Sequence, residues 1–114
     1  MIDWIIDAPP AELASELLSA FAPELARRVP WLALSDLCDW MFRGYPQRTG
    51  IVLRARPVQE PILEAIQLLE HSELLYVRWI QDNESRWGAT RLGLATLASG
   101  KAAVRQRIKD RTGL

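Results

Sequence analysis

Apolar residues recur at helical spacing in four stretches of the chain and alternate with polar ones in a fifth. The first helical stretch, residues 8–22, opens with Pro9 and Pro10, residues tolerated in a first turn, and places Leu13, Leu17 and Phe21 at four-residue intervals. Pro23 interrupts it; Glu24 to Arg28 can add one more turn before Pro30, which pushes Val29 towards an extended conformation and predicts a break near residue 29. In the second helix Ser35 is the expected cap, Asp36 suits the positive end of the helix dipole, and Leu37, Trp40 and Met41 share a face. Gly44, Tyr45 and Pro46 end that helix. Residues 50–54, Gly-Ile-Val-Leu-Arg, have the character of a short strand.

The third helix is expected over residues 58–72, with Pro61 in its first turn and Ile62, Ala65, Ile66 and Leu69 as its apolar stripe. Its other face carries Gln59, Glu60, Glu64, Gln67 and Glu70, three carboxylates without a Lys or Arg. Beyond it, Leu75, Val77 and Trp79 alternate with Leu74, Tyr76, Arg78 and Ile80, the period of a strand with one face in the core. Residues 82–85 make a polar turn, Arg86 to Leu92 a return strand, and Leu94, Leu97, Val104 and Ile108 one side of a last helix with a basic outer face.

Composition agrees with a folded domain. The 114 residues suit one unit, 1–114, divisible into an N-terminal helical extension, 1–28, and a core, 29–114. The expected class is mainly α with a small antiparallel β-sheet, α+β. Fourteen basic residues balance fourteen acidic ones, so no strong positive field draws the whole molecule to phosphate. Between Arg43 and Arg56, however, four arginines meet no acidic residue. Cys38 is the single cysteine and has no internal partner, which points to the cytoplasm. Asp3 and Asp7 stand where a signal peptide would carry cations, and no apolar run approaches the ~20 residues of a membrane span.

Helix, capped helix, helix, strand, polar turn, strand and closing helix together resemble the winged helix-turn-helix superfamily over residues 30–110. LLEHSELLYVRW, residues 68–79, is similar to the passage where a third helix runs directly into the first wing strand. TRLGLATLASGKAAV, residues 90–104, is similar to the second wing strand and the Leu-Thr-x-x-Gly entry to a final helix, with Thr96 one residue further from Gly100 than that pattern has it. Within the superfamily, SDLCDWM (35–41) followed by EAIQLLEHSELLYV (64–77) resembles DEP domains, adaptors that bind receptors, other proteins or acidic membrane surfaces. The resemblance implies that the helix at 58–72 occupies the position that enters the major groove in winged-helix DNA binders. Groove entry needs base donors and positive charge, but only Gln59 and Gln67 supply donors, while Glu60, Glu64 and Glu70 oppose phosphate.

No catalytic constellation accompanies this pattern. His71 and Cys38 are short of the three or four ligands a zinc site needs, and the single His has no orienting partner for nucleophilic catalysis. Asp36 and Asp39, three residues apart, read as a solvated helix edge. Ser99-Gly100-Lys101 lacks the upstream glycine and following hydroxyl of a phosphate loop. Neither cofactor nor metal is expected. Of the five tryptophans, Trp40 and Trp79 fall in core phase, while Trp87, beside Gly88, is the expected exposed contact. Trp4 and its isoleucine neighbours in residues 1–6 either pad the core or meet a partner.

The expected function is a non-enzymatic winged-helix interaction module that meets a protein partner, or a second copy, through Glu60, Glu64 and Trp87. The alternative is a DNA-binding transcriptional regulator that grips phosphates through Arg78, Arg86 and Arg91 of the wing and Lys101 and Arg105 of the last helix. A membrane surface is not an expected partner.

Overall fold

The structure, a computed structural model, describes residues 2–25, 30–43, 56–81 and 84–114. In chain order the described residues form α1 (Ile2–Asp7), α2 (Pro10–Leu18), β1 (Trp31–Ala33), α3 (Leu34–Met41), α4 (Arg56–His71), β2 (Leu75–Gln81), β3 (Glu84–Ala89), α5 (Arg91–Ala98) and α6 (Lys101–Thr112). The fold is mainly α with a small three-stranded antiparallel sheet, an α+β arrangement. The expected strand at 50–54, the break at residue 29 and the turn residues Asp82 and Asn83 lie outside the described residues.

The stripe of α2 behaves as its spacing predicts. Leu13, Leu17 and Leu18 are buried against α4 and α6, and Phe21 is buried in the short 3-10 turn that follows. The buried residues of 11–21 belong to the same core cluster as those of the other described elements. The first residues also form a helix, α1, which packs on α4. Ile5 is buried there, whereas Trp4 and Ile6 remain exposed.

Ser35 does not cap α3. The cap is Ala33, whose backbone N–H donates to Asp36 Oδ2 at 2.9 Å, so a carboxylate inside the first turn reaches back to the helix entry and Ser35 stands within that turn. Leu37 and Met41 are buried and Trp40 half-buried, the face expected of this helix. The next helix, α4, starts at Arg56 rather than near residue 58, which leaves Pro61 in its interior with no N–H to donate. Val58, Ile62, Ala65, Ile66 and Leu69 are all buried, and together they form the central ridge of the core.

Strand β3 is the middle of the sheet, between β1 and β2. Leu32 of β1 and Val77 of β2 both pair with Trp87, while Trp31 and Tyr76 both pair with Gly88. A Cβ at Gly88 would meet the Tyr76 ring at 3.1 Å, so the glycine is the seat on which that ring lies. β1 escapes the sequence pattern because three residues are too few to show a period. On β2 the simple alternation fails: Leu75 is buried, but Val77 is 43% exposed, and the register shifts between Val77 and Trp79. That bulge breaks the two-residue period at Arg78 on an edge strand, which the core covers on one side only.

Two further boundaries differ from expectation. β3 ends at Ala89, and Thr90 caps α5, its hydroxyl accepting from the Gly93 N–H at 2.8 Å; Arg91 thus opens a helix instead of extending a wing strand. The last helix is two, α5 and α6, divided at Gly100, whose φ of 102° lies where a side chain is strained.

Candidate functional site

The buried side of α4 leaves a continuous opposite stripe. Glu60, Leu63, Glu64, Gln67 and His71 succeed one another along it, and all are exposed. No Lys or Arg occurs between residues 57 and 77. Leu63 is 41% exposed, an apolar side chain in the middle of an acidic surface. The sequence holds the signal for it, since Leu63 lies just outside the stripe formed by Ile62, Ala65, Ile66 and Leu69. Glu60 and Glu64, both expected contact residues, stand one turn apart on this stripe.

Trp87, the third expected contact, is not on the surface. It is only 7% exposed because it belongs to the central strand, with Leu32 and Val77 paired to it on either side. Its indole N–H is buried without a hydrogen-bond partner. The expected contact role of Trp87 is therefore replaced by a core role.

The cations expected to meet nucleic acid are divided among four elements, and most are engaged within the molecule. Arg78 stacks on Trp31, its guanidinium carbon 4.9 Å from the ring centroid. Arg86 pairs with Glu84 at 3.5 Å. Lys101 pairs with Glu16, which also receives Arg43 at 3.2 Å; Arg43 in turn lies 3.9 Å over the Trp40 ring. Arg91 is exposed at the start of α5, where a helix dipole disfavours a positive charge, and Arg105 is exposed on α6. The structure brings Arg78 and Arg86 together at the hairpin, since Arg86 pairs in register with Trp79 next to the bulge. Arg91 lies at the far end of that hairpin, beyond the Leu75 and Ala89 pair.

Glu16, which receives both Lys101 and Arg43, has a displaced titration. Partial burial pushes its carboxyl up, but the hydrogen bonds and charges of Lys101 and then Arg43 outweigh it and hold the group below its ordinary value. The triad joins α2, α3's exit and α6. A second network closes the end of α4: Glu73 binds Arg107 at 3.2 Å and Arg111 at 2.8 Å, and Arg107 Nε donates to the Ser72 carbonyl at 3.1 Å. These ion pairs make Arg107 and Arg111 structural and leave Arg105 and Lys109 as the cations of α6 without an ion pair among the described residues.

Beside those two cations, a groove of about 340 Å³ runs between the start of α2 and α6, with Pro9, Ala11 and Ala102 among its apolar walls. Glu12 lines the α2 side and Arg105 and Lys109 the other. Nothing in the sequence pattern announces this groove, because it depends on how α6 crosses α2. Among the described residues no three His, Cys, Asp or Glu side chains gather as metal ligands; Cys38 is buried in α3 and His71 exposed at the end of α4. No described helix is long and apolar enough to cross a membrane. Compared with models of known families, with curated proteins and with solved structures, the chain matches none.

Proposed function

We propose that the chain is a non-enzymatic winged-helix-like module that docks a protein through the outer stripe of α4. The exposed sequence of Glu60, Leu63, Glu64 and Gln67 carries this proposal: an apolar contact flanked by two carboxylates suits a partner surface that offers an apolar recess with Lys or Arg beside it. The order α2, α3, α4, hairpin and closing helices supports the winged-helix-like description. In such a module α4 stands where a DNA reader would place its recognition helix, and its carboxylates would meet phosphate with like charge.

The DNA-binding alternative uses Arg78, Arg86 and Arg91 with Lys101 and Arg105 of the last helix. Arg78, Arg86 and Lys101 already have partners inside the chain, which weakens the grip available to phosphate, while Arg91 and Arg105 are exposed. Titration of a labelled random-sequence duplex at low and moderate salt separates the two. Docking through α4 predicts no saturable binding even at low salt. Tight, steeply salt-dependent binding that is abolished by charge reversal at Arg86 and Arg91 would replace it with the DNA-binding function.

A further inference from the structure

The acidic stripe of α4 and the groove beside α6 carry complementary charges on one molecule. Leu63 projects from α4 beside two carboxylates, whereas the groove presents apolar residues beside two cations of one wall. Glu60 and Glu64 are four residues apart on α4; Arg105 and Lys109 are four residues apart on α6, so both pairs span the same rise of about 6 Å. Among the side chains that line the groove, Arg105 and Lys109 are set against Glu12 on the α2 wall, and Asp110 is held by Gln106 at 2.7 Å instead of by either cation. The chain as a whole carries no net charge, so this separation of an acidic helix from a basic one gives it two opposite faces rather than one sign.

We propose that the partner of α4 is a second copy of this chain, whose α2–α6 groove receives Leu63 while Arg105 and Lys109 face Glu60 and Glu64. The inference rests on α4 being a protein-docking face and adds the identity of the occupant. Because the two surfaces differ, the contact is head-to-tail: a pair of copies still offers one open stripe, on one copy, and one open groove, on the other, and assembly continues beyond a dimer. Surface ion pairs contribute little singly, so the contact is weak and salt-sensitive, with the Leu63 recess giving it position.

Sedimentation of the full chain over a range of concentrations at low salt tests this. The average mass should climb past that of a dimer and fall back towards the monomer as salt is added. A Leu63→Ala/Glu64→Gln variant and an Arg105→Gln/Lys109→Gln variant should each associate about tenfold more weakly or worse, which corresponds to ~1.4 kcal/mol. Mixed together, they should form a complex that stops at two chains, because each retains one working surface. All four positions are exposed, and circular dichroism of each variant verifies that its fold is kept.

A wild-type chain that stays monomeric throughout overturns the second-copy inference and leaves the α4 docking proposal standing. Undiminished association of the Arg105→Gln/Lys109→Gln variant overturns it too, since the groove would then play no part. Loss of α4 docking itself is read separately, by the duplex titration.

Discussion

Gly93 has no room for a side chain. A Cβ placed on it would sit 2.1 Å from the Leu74 carbonyl oxygen, and that oxygen is already engaged by the Thr90 N–H at 3.0 Å. The first turn of α5 therefore rests directly on the backbone where α4 gives way to β2. Gly93→Ala should destabilise by about 3 kcal/mol, at the upper end of overpacking costs, and a denaturant melt checks it. Glu73 poses the opposite case, a non-glycine residue at φ 64°. It ends α4 with Leu74 N–H donating to the Leu69 carbonyl at 2.9 Å and its own N–H to the Glu70 carbonyl at 3.0 Å, an arrangement in which glycine is the usual residue. Its carboxylate explains the choice, since it holds Arg107 and Arg111. Glu73→Gly should exceed Glu73→Ala in stability by roughly 1 kcal/mol, because both lose the ion pairs but only Ala retains the left-handed strain. Equal melting of the two variants would contradict this reading of the turn.

Between elements, the tie most open to measurement is Glu16 with Lys101 and Arg43. Its carboxyl titrates below the ordinary 4.5, so its stabilisation is complete above that value and fades as pH falls through the folded-state pKa. The stability gap between wild type and Glu16→Gln should thus be greatest near neutral pH and narrow progressively below 4.5. A gap that widens in acid would reverse the sign argued here. Elements with a long period are legible in the sequence alone: the stripes of α2 and α4 are buried as their spacing requires. Boundaries are not, for local reasons. Thr90 looks like a strand residue until its hydroxyl is found capping α5, and Gly100 looks like a helix interior until its positive φ divides α5 from α6. Trp87 reads as an exposed aromatic beside a glycine; what buries it is β1, three residues from another part of the chain. The acidic side of α4 is legible as charge, and Leu63 within it as an apolar residue just outside the buried stripe.

At the scale of the whole molecule, several of the described cations that would steer it to a polyanion are engaged in holding elements together. Glu16 takes up Arg43 and Lys101, Glu73 takes up Arg107 and Arg111, and Arg78 lies on Trp31. The described outer stripe of α4 sets Leu63 beside Glu60 and Glu64, the character of a surface for protein. The groove beside α6 adds a recess of opposite sign. A photo-crosslinking side chain at Gln67, exposed on the stripe between Glu64 and His71, reports directly on what touches that face. The full chain carrying it should give covalent adducts to protein, and these should diminish when Glu60 and Glu64 are changed to Gln. Adducts to nucleic acid from this position, or protein adducts unaffected by removing both carboxylates, would contradict α4 as an acidic protein-docking face.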